Sequence, residues 1–192
     1  MKIPESDMPE TELWASFFDP ETLLETLVQD APVAGDALEL GAGYGTFTPA
    51  IHHSVTGQVH AWEIESALCT QLRTLKHTSD LSRLRVHCGD FLEQGFGLPR
   101  ASQSLVVVFN LLHLPHPVLL LAEAFRVLAP GGRLLMLHWR SDQPTPRGPS
   151  LDIRPKPQEC KHWAHRAGFA QIEQPDISAS CPHHFALIAH KH

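Results

Sequence analysis

The stretch Leu38-Glu39-Leu40-Gly41-Ala42-Gly43-Tyr44-Gly45-Thr46 decides how this chain folds. Ala37 to Leu40 reads as a short strand, and Phe47 to His53 as the start of a helix with Pro49 in its first turn. The glycines lie where the strand turns into the helix. Only glycine lets the backbone swing sharply there and come within contact distance of a ligand. The helix points its free N–H groups at the same crevice, and ligands of open parallel sheets bind at the carboxyl ends of the strands. The loop is a cofactor site by position, with a purely structural turn as the alternative. A dinucleotide loop needs Gly-x-Gly-x-x-Gly. Here the spacing is Gly-x-Gly-x-Gly, and Thr46 stands where the third dinucleotide glycine belongs. Glu39 precedes the first glycine; a carboxylate there disfavours pyrophosphate and favours a cationic amino acid moiety.

Outward from this loop, strand and helix alternate. Gln58 to Ile64, Leu84 to Cys88, Leu105 to Phe109, Leu134 to Trp139, Phe169 to Glu173 and Phe185 to Ala189 read as further strands. Helices are predicted from Ser66 to about Thr74, from Pro117 to Leu128 before the stop Pro130-Gly131-Gly132, and from about Gln158 to Ala167. Asp19-Pro20-Glu21 caps an earlier helix, with Leu13, Trp14, Phe17 and Phe18 ahead of it as a core-covering helix or a lid. The first ten residues read as a loose tail. Five prolines between Arg140 and Pro157 make a long, stiff loop. The alternation predicts an α/β fold, a parallel sheet with helices on both faces.

Acids stand at the ends of three successive strands. Glu63, in Trp62-Glu63-Ile64-Glu65, can accept from both hydroxyls of a ribose, with Glu65 as the alternative. Asp90, in Gly89-Asp90-Phe91, can accept from an exocyclic adenine amine while Phe91 packs near the ring.

The chain has 192 residues, 43% hydrophobic and 19% charged, which suits a single domain over 1–192 with an N-terminal helical cap over 1–35 and a core over 36–192. A formal charge of −6 argues against a nucleic-acid backbone as partner. No segment is long and apolar enough for a bilayer, so no membrane partner is expected. Met1 to Asp7 does not read as a secretory signal. Cys69, Cys88, Cys160 and Cys181 form no Cys-x-x-Cys pair and read as four reduced thiols in a cytoplasmic protein, without disulfide, zinc or other metal.

Taken together, these segments resemble the class I S-adenosylmethionine-dependent methyltransferases, of the small-molecule type 11/12 kind. The resemblance rests on Glu39 to Gly45, on Trp62 to Glu65, on Gly89 to Phe91, on Phe109-Asn110-Leu111-Leu112-His113 and on Arg126 to Gly132. It implies a Rossmann-like three-layer αβα sandwich whose seven-stranded sheet has the order 3-2-1-4-5-7-6, the last strand antiparallel. It implies S-adenosyl-L-methionine as cofactor, held by Glu39, Gly41, Ala42, Gly43, Gly45, Glu63, Ile64, Asp90, Phe91, Asn110 and Leu111. Many relatives carry a single Asp after strand two, where this chain has Glu-Ile-Glu.

Methyl transfer from a sulfonium needs alignment first, and a base only where the acceptor carries a proton of high pKa. His113 after strand four, and His138 with Arg140 at the end of strand five, are the catalytic candidates. Arg147 and Arg154, in the proline-rich loop, read as solvated charges, with a grip on an acidic substrate as the alternative. Asn110 is followed by Leu-Leu rather than Pro-Pro-aromatic, which lowers an adenine-base or glutamine acceptor. A small organic acceptor is expected, and a homodimer is compatible with this reading. A S-adenosylmethionine-binding protein without catalysis and a nicotinamide-dependent oxidoreductase stand as alternatives.

Overall fold

The computed structural model describes residues 9–29 and 32–192. The expected tail falls mostly on residues 1–8, outside the described residues. Seven strands form one sheet: β1 (Asp36–Leu40), β2 (Val59–Glu63), β3 (Leu84–Cys88), β4 (Gln103–Phe109), β5 (Leu128–Trp139), β6 (Gln171–Glu173) and β7 (His184–His190). Their order is β3-β2-β1-β4-β5-β7-β6. β1 to β5 run parallel, and β7 runs antiparallel to both β5 and β6. The order reverses between β1 and β4, and that is where an open sheet leaves a crevice.

β4 explains how the layers form. Leu105, Val107 and Phe109 face one core, while Val106 and Val108 face the other. A continuous apolar run is what a strand covered on both faces requires. The first core is closed by α2 (Pro20–Val28), α3 (Thr48–Ser54) and α4 (Ser66–Thr78), which contribute Leu23, Leu27, Ile51 and Leu72. The second is closed by α6 (Pro117–Val127) and α7 (Pro157–Ala167) through Leu120, Leu121, Ala124, Cys160 and Ala164. The described residues also form two short helices, α1 (Thr11–Ala15) and α5 (Phe91–Gln94), and a 3-10 turn at Leu151–Ile153.

Several elements depart from the sequence reading. β5 begins at Leu128 rather than Leu134, because the Pro130-Gly131-Gly132 turn is absorbed into the sheet: Gly131 N–H donates to Lys191 O at 2.7 Å and Lys191 N–H to Gly132 O at 3.0 Å. α2, given only its start in the sequence, ends at Val28, with Gln29 as its C-cap in the left-handed conformation at φ 67°. α5 was not expected, although Asp90 is an N-cap whose carboxylate accepts from Leu92 N–H at 2.8 Å.

The cysteine reading needs correction. Cys69 and Cys88 are joined by a disulfide; only Cys160 and Cys181 are free among the described residues, and both are buried. The β2–α4–β3 crossover brings the first turn of α4 beside the end of β3, with the two Cα atoms 5.9 Å apart. That pairing removes the ground on which a reducing, cytoplasmic setting was expected. Burial pushes the Cys160 and Cys181 thiols up to about 12, so neither is a ready nucleophile. No helix among the described residues is long and apolar enough to cross a membrane.

Candidate active site

A cavity of about 390 Å³ lies over the carboxyl ends of β1, β2, β4 and β5. Its floor on the β1 side is the glycine loop. Gly41 sits at φ 67°, and a Cβ there would press into the Leu111 side chain at 3.2 Å, so the loop and the turn after β4 close on each other. Gly45, at φ 79°, serves a different purpose. Its Cβ would meet Leu75 at 2.6 Å and Leu72 at 2.9 Å, so it lets α4 pack close and does not reach the cavity.

Two buried carboxylates face the cavity at this end. Glu63 accepts from Gly43 N–H at 2.8 Å through Oε2, and from Ile64 and Glu65 N–H at 2.7 and 2.9 Å through Oε1. It ties the end of β2 to the glycine loop. Glu39, 3% exposed, accepts from Thr48 Oγ1–H at 2.7 Å. Burial pushes its pKa up to about 8, against the Thr48 bond and with help from the nearby Glu63 charge. On the β4 side, Asn110 holds φ 56°, and its Oδ1 is buried with no hydrogen-bond partner. An unmatched buried acceptor costs about 1–3 kcal/mol unless a ligand donor reaches it.

Of the residues singled out in the sequence, Glu39, Gly41, Ala42, Gly43, Glu63, Ile64, Phe91, Asn110, Leu111 and His113 line the cavity; Gly45, Asp90 and His138 do not. Glu65, the alternative to Glu63, does not line it either. Asp90 is occupied as the cap of α5. His138 is fully buried, behind His113: His113 Nδ1 and His138 Nε2 lie 3.1 Å apart. Burial drives the His138 pKa down to about 3, opposed by its bond to the Trp139 carbonyl and helped by the charges of His113 and Arg154. Burial also lowers His113. Arg140 is half-exposed and forks onto Asp142, away from the cavity lining.

The proline-rich loop is built around Arg154, which is buried rather than solvated. Its guanidinium donates to Pro149 O, Arg140 O, Arg147 O and Thr145 Oγ1. Gly148 lies flat on Trp139, where a Cβ would stand 2.8 Å from the indole. This arrangement brings Arg147, Gly148 and Pro149 to the cavity wall, so Arg147 is not a remote surface charge.

The N-terminal segment closes the remaining side. Trp14 Nε1–H donates to Thr46 Oγ1 at 3.0 Å and Tyr44 O–H to Pro9 O at 3.0 Å. The two non-glycine positions of the loop's second half thus hold the cover in place. Nothing in the loop's spacing announces this; Thr46 marked only a missing glycine. Thr46→Val is expected to lower stability by about 1 kcal/mol and to speed proteolytic cleavage ahead of α2. Unchanged cleavage would mean that α1 is held without this bond.

Residues 37–132 match the family described as Methyltransferase domain. The chain belongs to that family. Its sheet order and layering are those of the class I S-adenosylmethionine-dependent methyltransferase fold. A SAM dependent methyltransferase from Aquifex aeolicus superposes with a TM-score of 0.76 at 20% identity, over 94% of this chain and 93% of that one. The N-terminal domain of EvdMO1, crystallised with SAH and D-fucose, gives 0.67 at 23% identity, over 91% and 83%. The [4+2]-cyclase SpnF gives 0.68 at 16%, over 89% and 81%. No functionally curated protein matches the chain.

Proposed function

We propose that this protein transfers a methyl group from S-adenosyl-L-methionine to a small organic acceptor, and that residues 1–192 act as one unit with an N-terminal cap over a catalytic core. The family assignment sets aside the nicotinamide-dependent oxidoreductase. The observation that carries the reading is one cavity at the strand-order switch, with two buried carboxylates at its glycine end and the unpartnered Asn110 carbonyl across from them.

Those residues fit the donor. The bound donor supplies an activated methyl carbon on a positively charged sulfur. Glu63 has a lone pair left for a ribose hydroxyl after its three backbone bonds. Ile64 and Phe91 offer apolar surface for the base, and Asp90, which caps α5 and does not line the cavity, supports that wall from behind. Glu39, Gly41, Ala42, Gly43, Asn110 and Leu111 surround the amino acid end, where a carboxylate and an amide oxygen suit an ammonium. Gly45 supports this set through packing rather than contact. The acceptor then lies over β4 and β5, between His113 and the Arg147–Pro149 wall, and the cover over the cavity excludes water. The chamber is sized for a small molecule rather than a nucleic acid, and a homodimer is compatible with it.

The test is binding of S-adenosylhomocysteine. At ten times its dissociation constant the product should stabilise the fold by about 1.4 kcal/mol, a rise of roughly 3–6 °C in melting temperature for a domain this size. No shift at millimolar product would remove the cofactor assignment. Binding without methyl transfer to any acceptor would instead favour a binding protein.

A further inference from the structure

We propose that the acceptor is a flat aromatic alcohol (a phenol or the enol of a conjugated ring), and that His113 removes its proton as general base while His138 fixes the tautomer of His113. This rests on the methyl-transfer reading above.

The tautomers follow from the partners. His138 Nδ1 lies 3.2 Å from the carbonyl oxygen of Trp139, which can only accept, so Nδ1 carries the proton. Neutral His138 then offers a lone pair at Nε2. His113 Nδ1, 3.1 Å away, must donate to it. That leaves Nε2 of neutral His113 as a bare acceptor on a residue that lines the cavity. A lone imidazole can flip or take either tautomer; this one is held by a second ring on the neighbouring strand. Beyond the two rings themselves, the charge that faces the pair is Arg154 in the prolyl loop, which acts on His138; His184 on β7 interacts with His138 too, and burial keeps it well below its usual value.

The walls select the acceptor. Phe109 and Phe47 meet edge to face at 4.9 Å, and Trp14 and Trp139 at 6.3 Å, and all four line the cavity. Aromatic walls favour a flat ring. The acids that line the cavity among the described residues, Glu39 and Glu63, both stand at the glycine-loop end, whereas the charged side chain lining the β5 side is Arg147. An ammonium acceptor finds no carboxylate there. A neutral hydroxyl finds a base. Its O–H proton passes to His113 Nε2, the oxygen pair forms the O–CH3 bond, and the C–S bond breaks with its electrons going to sulfur. The products are an aryl methyl ether, S-adenosylhomocysteine and the His113 imidazolium, which returns its proton to water.

Two measurements on the full chain test this. The first is nitrogen-15 NMR of the histidine rings at neutral pH, assigned with His113→Gln and His138→Gln. Both rings should be protonated at Nδ1 and bare at Nε2; a proton on His113 Nε2 overturns the proposal. The second is methyl transfer from labelled S-adenosylmethionine to a naphthol and to the matching naphthylmethylamine. Transfer to the naphthol is expected. His113→Ala should lower its kcat about 10²–10⁴-fold and leave the dissociation constant of S-adenosylhomocysteine unchanged.

His138→Leu should lower kcat about 10–100-fold and move the acid limb of the pH profile to lower pH, because the imidazolium of His113 loses its acceptor. His138→Gln, whose carbonyl can still accept, should restore most of the rate. A purely structural role for His138 would move no pH limb and would not separate Leu from Gln. Transfer to the amine alone, transfer to neither probe while S-adenosylhomocysteine binds, or naphthol transfer indifferent to His113→Ala each overturns this proposal and leaves the cofactor reading standing. Failure to bind S-adenosylhomocysteine overturns both.

Discussion

Glu63→Ala should destabilise this protein by about 3–5 kcal/mol and abolish measurable S-adenosylhomocysteine binding. The reason is that Glu63 is first an organiser of the backbone. Its carboxylate, 4% exposed, receives the N–H groups of Gly43, Ile64 and Glu65. Charge-assisted bonds of this kind contribute roughly 1.5–3 kcal/mol each. Alanine leaves three donors without a partner, and water entering the cavity recovers only part of the loss. The glycine loop then loses its tie to β2, so affinity should fall by more than one ribose hydrogen bond can explain. Glu63→Gln provides the graded case. One carbonyl oxygen can serve one side, but the amide N–H2 meets another N–H on the other, and a loss of about half is expected. Urea denaturation with product calorimetry reads both quantities. A loss under 1 kcal/mol for alanine would show that the loop is anchored elsewhere.

This double duty was only half visible in the sequence. Glu63 could be picked out because a carboxylate at the end of a second strand is a local pattern, and the glycine loop and the Leu105–Phe109 run are local patterns too. The contacts that join such pieces are not local. The bond from Gly43 to Glu63 spans 20 residues, and the one from Trp14 to Thr46 spans 32. His113 and His138 were each named for lying at a strand end. Their contact depends on the parallel register that sets Phe109 beside Leu137, which no spacing along the chain encodes. The Cys69–Cys88 pair was hidden for the same reason: the crossover through α4 folds a separation of 19 residues into neighbouring Cα atoms. Arg154 looked like a surface charge because three of its four partners are backbone carbonyls, and every residue has one. Asp90 was legible as an acid after strand three, but its cap role needs the short helix that follows.

Glu39 supplies the second large effect, in the pH dependence of binding. Burial holds its folded-state pKa at about 8, above the ordinary 4.5. Between those values the folded protein carries a proton that the unfolded chain has lost. This group therefore favours folding fully below pH 4.5, and that contribution disappears as pH rises through about 8. Ligand binding runs the other way. On the proposed reading the ammonium of the amino acid end lies beside Glu39 and prefers it ionised, so binding expels the proton at neutral pH. Product affinity should then rise roughly 25-fold from pH 6 to pH 7.5, a range in which the ligand's own ammonium stays mostly charged. The proton released should appear in calorimetry as a heat that changes with the ionisation enthalpy of the buffer. Glu39→Gln keeps a partner for Thr48 and cannot titrate, so its affinity should be flat over this range. If the wild-type profile is equally flat, the ammonium does not sit against Glu39, and the donor lies in the cavity in some other orientation.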